Sequence, residues 1–407
     1  MATISLPRSN VVSRIFAARG LRGFSDGFIS LLLPLYLLEL GYAPLQVGII
    51  ASATLFGSGL LTLTIGLTAS RWHYRTLLLS ATVLMVATGI GFALVTDFWP
   101  LLVIAFIGTL NPSSGDVSVF LPLEHAVISS SVAPTDRTAV FARYSLVGAI
   151  AASVGSLATG VPQWMAEHAG VSSKAALQSM FIAYAVVGVI IALLYRGLPR
   201  APSAASTGAS HAAVPLRRSR NRVFALAALF SLDSFGGGFV VQSMVALWLY
   251  QRFDMPLTTT GIIFFWTGLL SAFSFLVAVR IAKKIGLVNT MVYTHVPSSI
   301  CLILIPLMPS LTPVIVLLMI RAALSQMDVP TRSSYVMAIV PPEERAAAAS
   351  VTAVPRSLAS AASPMLSGML LSASTFGWPL LIGGVVKIVY DVLLLVFFRN
   401  VKPPEEK

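Results

Sequence analysis

The amino-acid sequence predicts an all-α membrane protein whose twelve transmembrane helices form two pseudo-symmetric six-helix bundles. Three observations carry that expectation: the composition, a series of span-length apolar stretches, and an internal repeat. Of 407 residues, 56% are hydrophobic and only 10% are charged, against roughly 25% charged in a soluble domain. A chain this apolar cannot cover a water-facing surface, so lipid must be its solvent.

A span requires about 20 mostly apolar residues. Stretches of that kind fall at 15–38, 45–69, 76–96, 99–128, 138–162, 177–197, 223–250, 258–281, 287–308, 311–339, 346–371 and 376–398. The polar N-terminal stretch (Met1 to Arg14) lacks a small-residue cleavage site after its first apolar run, so that run reads as a retained first span. Residues 199–221 differ from their surroundings: they are rich in Ala and Ser, carry Pro199, Pro202 and Pro215, and end in Arg217, Arg218 and Arg220. That composition marks a basic linker between an N-terminal bundle, 1–198, and a C-terminal bundle with a short tail, 222–407.

The net charge of +12 does not indicate nucleic acid, because the basic residues cluster in short loops rather than along one polar face. Arg71, Arg75, Arg137, Arg143, Lys283 and Lys284 sit in loops on one side, whereas the other side holds only Lys174 and Arg252. The positive-inside bias therefore puts both termini and the linker in the cytoplasm. The single cysteine, Cys301, lies in an apolar segment and excludes an intramolecular disulfide framework.

The two halves repeat. Arg137 and Arg345 differ by 345 − 137 = 208, and the same offset pairs Pro122 with Pro330, Pro134 with Pro342 and Gly160 with Gly368. Near the start of each half, Ser25-Asp26-Gly27-Phe28 is similar to Leu232-Asp233-Ser234-Phe235. Parallel repeats of six spans place a solute site between the halves near the bilayer midplane.

With these features the chain resembles the Major Facilitator Superfamily over nearly its whole length. The family's G-x-x-A-D-R-x-G-R-[RK] signature after the second span reads here Gly66-Leu67-Thr68-Ala69-Ser70-Arg71-Trp72-His73-Tyr74-Arg75, with Ser70 for the acid and His73 for the second glycine. Its counterpart after the eighth span is Ala282-Lys283-Lys284-Ile285-Gly286. The fifth span keeps Gly148 and Gly155 of the glycine pattern of drug:proton antiporters, with Gly160 one residue late. The resemblance implies the Major Facilitator fold and a secondary transporter, in general look a bacterial efflux-type member of the cytoplasmic (inner) membrane, acting as a monomer. It also implies that the loop bearing Arg71 and Arg75 is a cytoplasmic gate held by charge pairs.

Charges at membrane depth cost about 2.5–3.5 kcal/mol on insertion scales, so each one normally faces a cavity or a partner. Asp26 lies in the first span four residues beyond Arg22, either as a titrating carboxylate or as a static partner of that arginine. Asp233 is its repeat equivalent. The fourth span carries Asn111-Pro112-Ser113-Ser114-Gly115-Asp116, a loosened segment of small and polar residues, then Glu124 and His125. Asp116 is the first choice for proton coupling, and Glu124 is expected to latch to Arg71, Arg75 or Arg143. The tenth span supplies Arg321, Asp328 and Arg332. Arg332 sits 208 beyond Glu124, so an inner gate across the halves and a pair within each half are both open. Arg356 is an anion contact or a partner of Asp328. Lys387 and Asp391, spaced i, i+4, read as structural. Tyr36, Trp248, Phe265 and Trp266 are cavity aromatics or simple packing.

No nucleotide-binding loop and no metal-ligand spacing occurs, so the chain is expected to be no enzyme and to need no cofactor or metal. The expected function is proton-coupled efflux of a small amphipathic or organic compound. Uptake or exchange of a small organic anion stands as the alternative, on Arg321, Arg332 and Arg356. A metal or metalloid exporter using Asp116, Glu124 and His125, and a non-transporting scaffold, are the remaining readings.

Overall fold

The computed structural model describes residues 8–68, 72–113, 118–133, 136–199, 216 and 219–401. Among them all regular structure is helical. The helices are α1 (Arg8–Glu39), α2 (Pro44–Thr68), α3 (Tyr74–Leu94), α4 (Phe98–Ile107), α5 (Phe120–Ser131), α6 (Arg137–Leu157), α7 (Val161–His168) and α8 (Ser173–Arg196). They continue with α9 (Arg220–Gly238), α10 (Gln242–Phe253), α11 (Leu257–Ile285), α12 (Leu287–Leu304), α13 (Leu311–Ser325), α14 (Asp328–Ile339), α15 (Arg345–Ala373) and α16 (Trp378–Phe398).

These sixteen helices make twelve spans because four spans are split. Ten described stretches are long and apolar enough to cross a bilayer, three of them composites: Ala139–His168, Arg220–Phe253 and Leu311–Ile339. The two remaining spans fall short for identifiable reasons. In the α4/α5 span, α4 ends at Ile107 and α5 begins at Phe120, and α15 is diluted by serines, alanines and Arg356. The outer surfaces remain apolar, as lipid requires: Val186, Val189 and Leu193 of α8 and Val392, Val396 and Phe397 of α16 are all exposed.

The split between α4 and α5 begins at Gly108 and runs through Pro112, which offers no N–H to a helix. Asn111 stabilises the opened backbone: its Oδ1 accepts from the Ser113 amide at 3.1 Å and the Ser113 hydroxyl at 2.7 Å. The α9/α10 split follows Gly236-Gly237-Gly238, and α13 gives way to α14 at Gln326-Met327. The sequence repeat is visible in helix boundaries. Both ends of α14 lie 208 residues beyond those of α5 (328 − 120 and 339 − 131), as does the start of α15 beyond α6 (345 − 137).

The chain forms two compact units. The first comprises Met1–Tyr42, Ala53–Ser210 and Pro256–Phe265; the second comprises Ala43–Ser52, His211–Met255 and Trp266–Lys407. In the first, α1 packs most intimately on α6 and α3 on α8, through small residues that let backbones approach. A Cβ on Gly23 would stand 2.6 Å from the Gly148 carbonyl oxygen, and one on Gly89 would stand 2.7 Å from that of Phe181. In the second unit, α15 packs on α9, with the Ser363 hydroxyl donating to the Phe235 carbonyl at 2.6 Å and Ser367 to that of Phe239 at 3.0 Å. Val223, Leu226, Phe230, Met291, Tyr335 and Leu394 lie at the centre of its core.

Candidate functional site

Each unit holds a buried cluster of charges. In the first, Glu124 on α5 is fully buried, at 0% exposure, and Arg22 on α1 is 2% exposed. Arg22 Nη2 donates to Glu124 Oε2 at 2.5 Å and to the Tyr144 hydroxyl at 3.0 Å, while Nη1 reaches the Tyr195 hydroxyl at 3.3 Å. Tyr195 donates to Glu124 Oε1 at 2.6 Å, and Tyr144 donates to Oε2. The guanidinium also lies 4.6 Å from the centroid of the Phe120 ring. Glu124 thus accepts from three donors on α1, α6 and α8, which compensates a carboxylate that the low dielectric would otherwise expel.

The partner of Glu124 is therefore Arg22, one helical turn before Asp26, rather than Arg75 or Arg143. Arg143 is exposed, and Arg75 borders a surface hollow of about 380 Å³ with His73, Thr76 and Leu79. Arg71 and Asp116 lie outside the described residues. Asp26 is buried and within electrostatic range of Tyr184. Tyr184 in turn holds the opened segment of the fourth span, donating to the Thr109 carbonyl at 3.1 Å with its hydroxyl also 3.1 Å from Thr109 Oγ1. His125 packs against the rings of Phe141 and Tyr144.

The second cluster is larger. Asp233 on α9 receives Arg332 Nη2 of α14 at Oδ2, 2.8 Å away, and Lys387 Nζ of α16 at Oδ1, 2.7 Å away. Arg332 is shared with Asp328, one turn earlier on the same helix. His295 of α12 completes the group: Nδ1 lies 3.0 and 2.9 Å from the two carboxylate oxygens of Asp391, and Nε2 lies 3.4 Å from Lys387 Nζ. Arg356 stands within electrostatic range of Asp233, Asp328 and Arg332, yet makes no hydrogen bond or ion pair among the described residues. Arg321 is likewise half-buried, near Cys301, and its guanidinium has no such partner there.

Several sequence expectations meet a different arrangement. Asp233 has no base within a turn on its own helix but meets cations from two other helices, α14 and α16. Lys387 and Asp391 do not pair with each other; they reach Asp233 and His295 respectively. Asp328 takes Arg332, not Arg356. Glu124 and Arg332 each find a countercharge within their own unit. Tyr36 and Trp248 are core residues: Tyr36 donates to the Phe92 carbonyl at 2.6 Å, and Trp248 Nε1 donates to that of Thr375 at 3.1 Å. Trp266 is 51% exposed. His295, Tyr144 and Tyr195 were not anticipated. The signal available for His295 was its place halfway along an apolar span.

Buried, paired charges on interrupted spans are the features by which membrane transporters build polar sites inside a helical bundle. Comparison with known proteins makes the class specific. The model of the Major Facilitator Superfamily matches residues 15–327, and the chain belongs to that family of transporters. It is 24% identical, over 97% of its length and 95% of the relative's, to an uncharacterized membrane protein of Saccharomyces cerevisiae, YJR124C. Its fold is shared with a bacterial homolog to the human lysosomal transporter Spinster, at TM-score 0.75 and 17% identity over 97% of both chains. It is shared also with the nucleoside transporter NupG, at TM-score 0.74 and 13% identity over 96% of this chain and 100% of that one.

Proposed function

We propose that the chain couples proton movement to the export of a small amphipathic or organic compound by alternating access. The observation that carries this reading is the burial of carboxylates at membrane depth beside interrupted spans: Asp26 and Asp233 are each 4% exposed. Such groups are costly in a bilayer and are the usual currency of proton exchange. Asp26, Asp116 and Asp233 are the proposed coupling carboxylates, with Arg321 and Arg356 as cavity contacts. Arg71, Arg75, Glu124, Arg143, Asp328 and Arg332 are the proposed gate charges. The proposed organisation is two bundles, 1–198 and 222–407, joined by a basic linker at 199–221, with both termini cytoplasmic, in a monomer of the cytoplasmic membrane.

A second reading, uptake or exchange of a small organic anion, is supported by Arg321 and Arg356, guanidinium groups with no ion pair among the described residues. Everted vesicles given an artificial pH gradient separate the two. Export predicts that a library of amphipathic compounds contains solutes that dissipate the gradient, and that Asp233→Asn abolishes the response. If no solute moves protons and the Asn variants of Asp26, Asp116 and Asp233 transport normally, proton-coupled export is wrong.

A further inference from the structure

One carboxylate of the α9/α12/α14/α16 cluster has no permanent cation in contact with it among the described residues. Asp233 and Asp328 are in direct contact with the permanent cations Arg332 and Lys387, whereas Asp391, at 0% exposure, meets only His295. The sixth member, His295, is 3% exposed and can be neutral or cationic. Its tautomer follows from its neighbours. A carboxylate only accepts, so the nitrogen facing Asp391 at 2.9 Å, Nδ1, carries hydrogen. Nε2 then presents its lone pair to the Lys387 ammonium 3.4 Å away. The Asp233 Oδ1 oxygen stands 3.6 Å from the same Nε2 and 2.7 Å from the same ammonium.

We propose that His295 is a proton-binding site of this transporter, and that its proton competes with the Lys387 ammonium for Asp233. The step balances simply: a proton from water adds to the Nε2 lone pair, the Lys387 N–H···Nε2 hydrogen bond is lost, and the cluster gains one positive charge. The imidazolium and ammonium are then like charges at about the distance where repulsion is strong. Nε2–H gains Asp233 as an acceptor. Lys387 is free to withdraw: its side chain is 13% exposed, the most open of the cluster's ion-paired groups. Its stem runs over Gly236 and Gly237, whose missing side chains would otherwise lie 3.1 Å from Cγ and 3.6 Å from Nζ. Asp233 stays compensated throughout, because Arg332 holds its other oxygen.

The remaining groups facing the imidazole are consistent with one proton being taken up there. The Tyr390 ring meets it edge-on at 6.0 Å, and its buried hydroxyl has no hydrogen-bond partner among the described residues. Arg332 and Asp328 neutralise each other on α14, and Arg356 of α15 stands off without a pair. The role in transport rests on the proton-coupled reading above; the titration does not.

The test uses the full chain in lipid nanodiscs with ¹⁵N-labelled histidine, the signal of His295 among the five histidines being the one lost in His295→Gln. The ring-nitrogen signals of His295 are expected to change across a pH series spanning about 5 to 8. Lys387→Gln removes the competing cation and is expected to move the midpoint to higher pH by about one unit or more. Asp391→Asn removes the stabilising carboxylate and is expected to move it to lower pH. A His295 signal that does not change over that range overturns the proposal, as does a midpoint unmoved in whichever of the two variants elutes as folded protein. A titrating His295 in a protein that fails the vesicle assay keeps the site and removes the coupling. Coupled vesicles with a silent His295 do the reverse.

Discussion

Arg22 and Glu124 meet at 2.5 Å across 102 residues of sequence, and the position related to Glu124 by the repeat carries the opposite charge. Arg332 stands at the position of Glu124 (332 − 124 = 208) and Asp233 at that of Asp26 (233 − 26 = 207). The acid of the fourth span thus meets a base on the first, and the base of the tenth span meets an acid on the seventh. Each unit closes its own charges. A first-to-fourth-span pair and a seventh-to-tenth-span pair thus recur in the two units, but the second uses Asp233, one turn beyond the position related to Arg22, so that each buried charge keeps a partner.

Removing one member should therefore be severe. In Arg22→Met, Glu124 keeps two tyrosine donors but no countercharge in a site with no solvent access. A loss of about 3–5 kcal/mol is expected, read as a lowered midpoint of thermal unfolding in detergent. Arg22→Met combined with Glu124→Gln should recover most of it, because the unpaired charge is gone. A single variant as stable as the parent would show that the pair is not what closes the joint.

The α1–α6 contact makes a sharper steric prediction. A Cβ on Gly27 would stand 2.9 Å from the backbone carbonyl carbon of Ala152, and nearer still to its oxygen. Gly27→Ala should cost about 1–3 kcal/mol by forcing the helices apart. Seven residues earlier on the same helix, Gly20 has only Val147 Cγ1 nearby, at 3.7 Å. Gly20→Ala should be neutral or gain up to about 1 kcal/mol from helix propensity. Equal melting behaviour of the two variants would contradict the close approach.

Orientation can be checked with the lone cysteine removed. In a Cys301→Ser background, a cysteine at Lys174, in the first turn of α8, should react with a membrane-impermeant maleimide in intact cells. One at Lys283, near the end of α11, should react only after permeabilisation. The reverse pattern would invert the topology.

The fold was legible because its causes are local and repetitive. Span-length apolar runs follow from lipid, and Arg137/Arg345 fix the repeat without any three-dimensional information. The helix interruptions were half visible: Asn111-Pro112 and the Gly236–Gly238 run announce theirs, whereas Gln326-Met327 has no breaker at all. Charge partners were the least legible. Spacing along one helix suggested Arg22–Asp26 and Lys387–Asp391, but Arg22 turns to α5, Lys387 to α9 and Asp391 to α12. In a helical bundle, neighbours one turn apart compete with partners on adjacent helices that no sequence spacing reports. Asp328–Arg332 is the case where spacing and structure agree.

Arg356 separates the two transport readings without a vesicle. Its guanidinium stands near Asp233 and Asp328 but pairs with neither, since both carboxylates are already held by Arg332. Arg356→Ala should therefore leave the melting temperature of the unliganded protein nearly unchanged. Arg332→Ala, by contrast, strips Asp328 of its cation and should lower it steeply, by an amount corresponding to about 3–5 kcal/mol. A metabolite screen by thermal stabilisation then discriminates. A ligand at 100 times its Kd adds about 2.7 kcal/mol of stability, so an organic anion that stabilises the parent protein and fails on Arg356→Ala would favour uptake or exchange of an anion. Stabilisation by neutral or cationic amphipaths, equal in the parent and in Arg356→Ala, would favour export and leave Arg356 outside the substrate site.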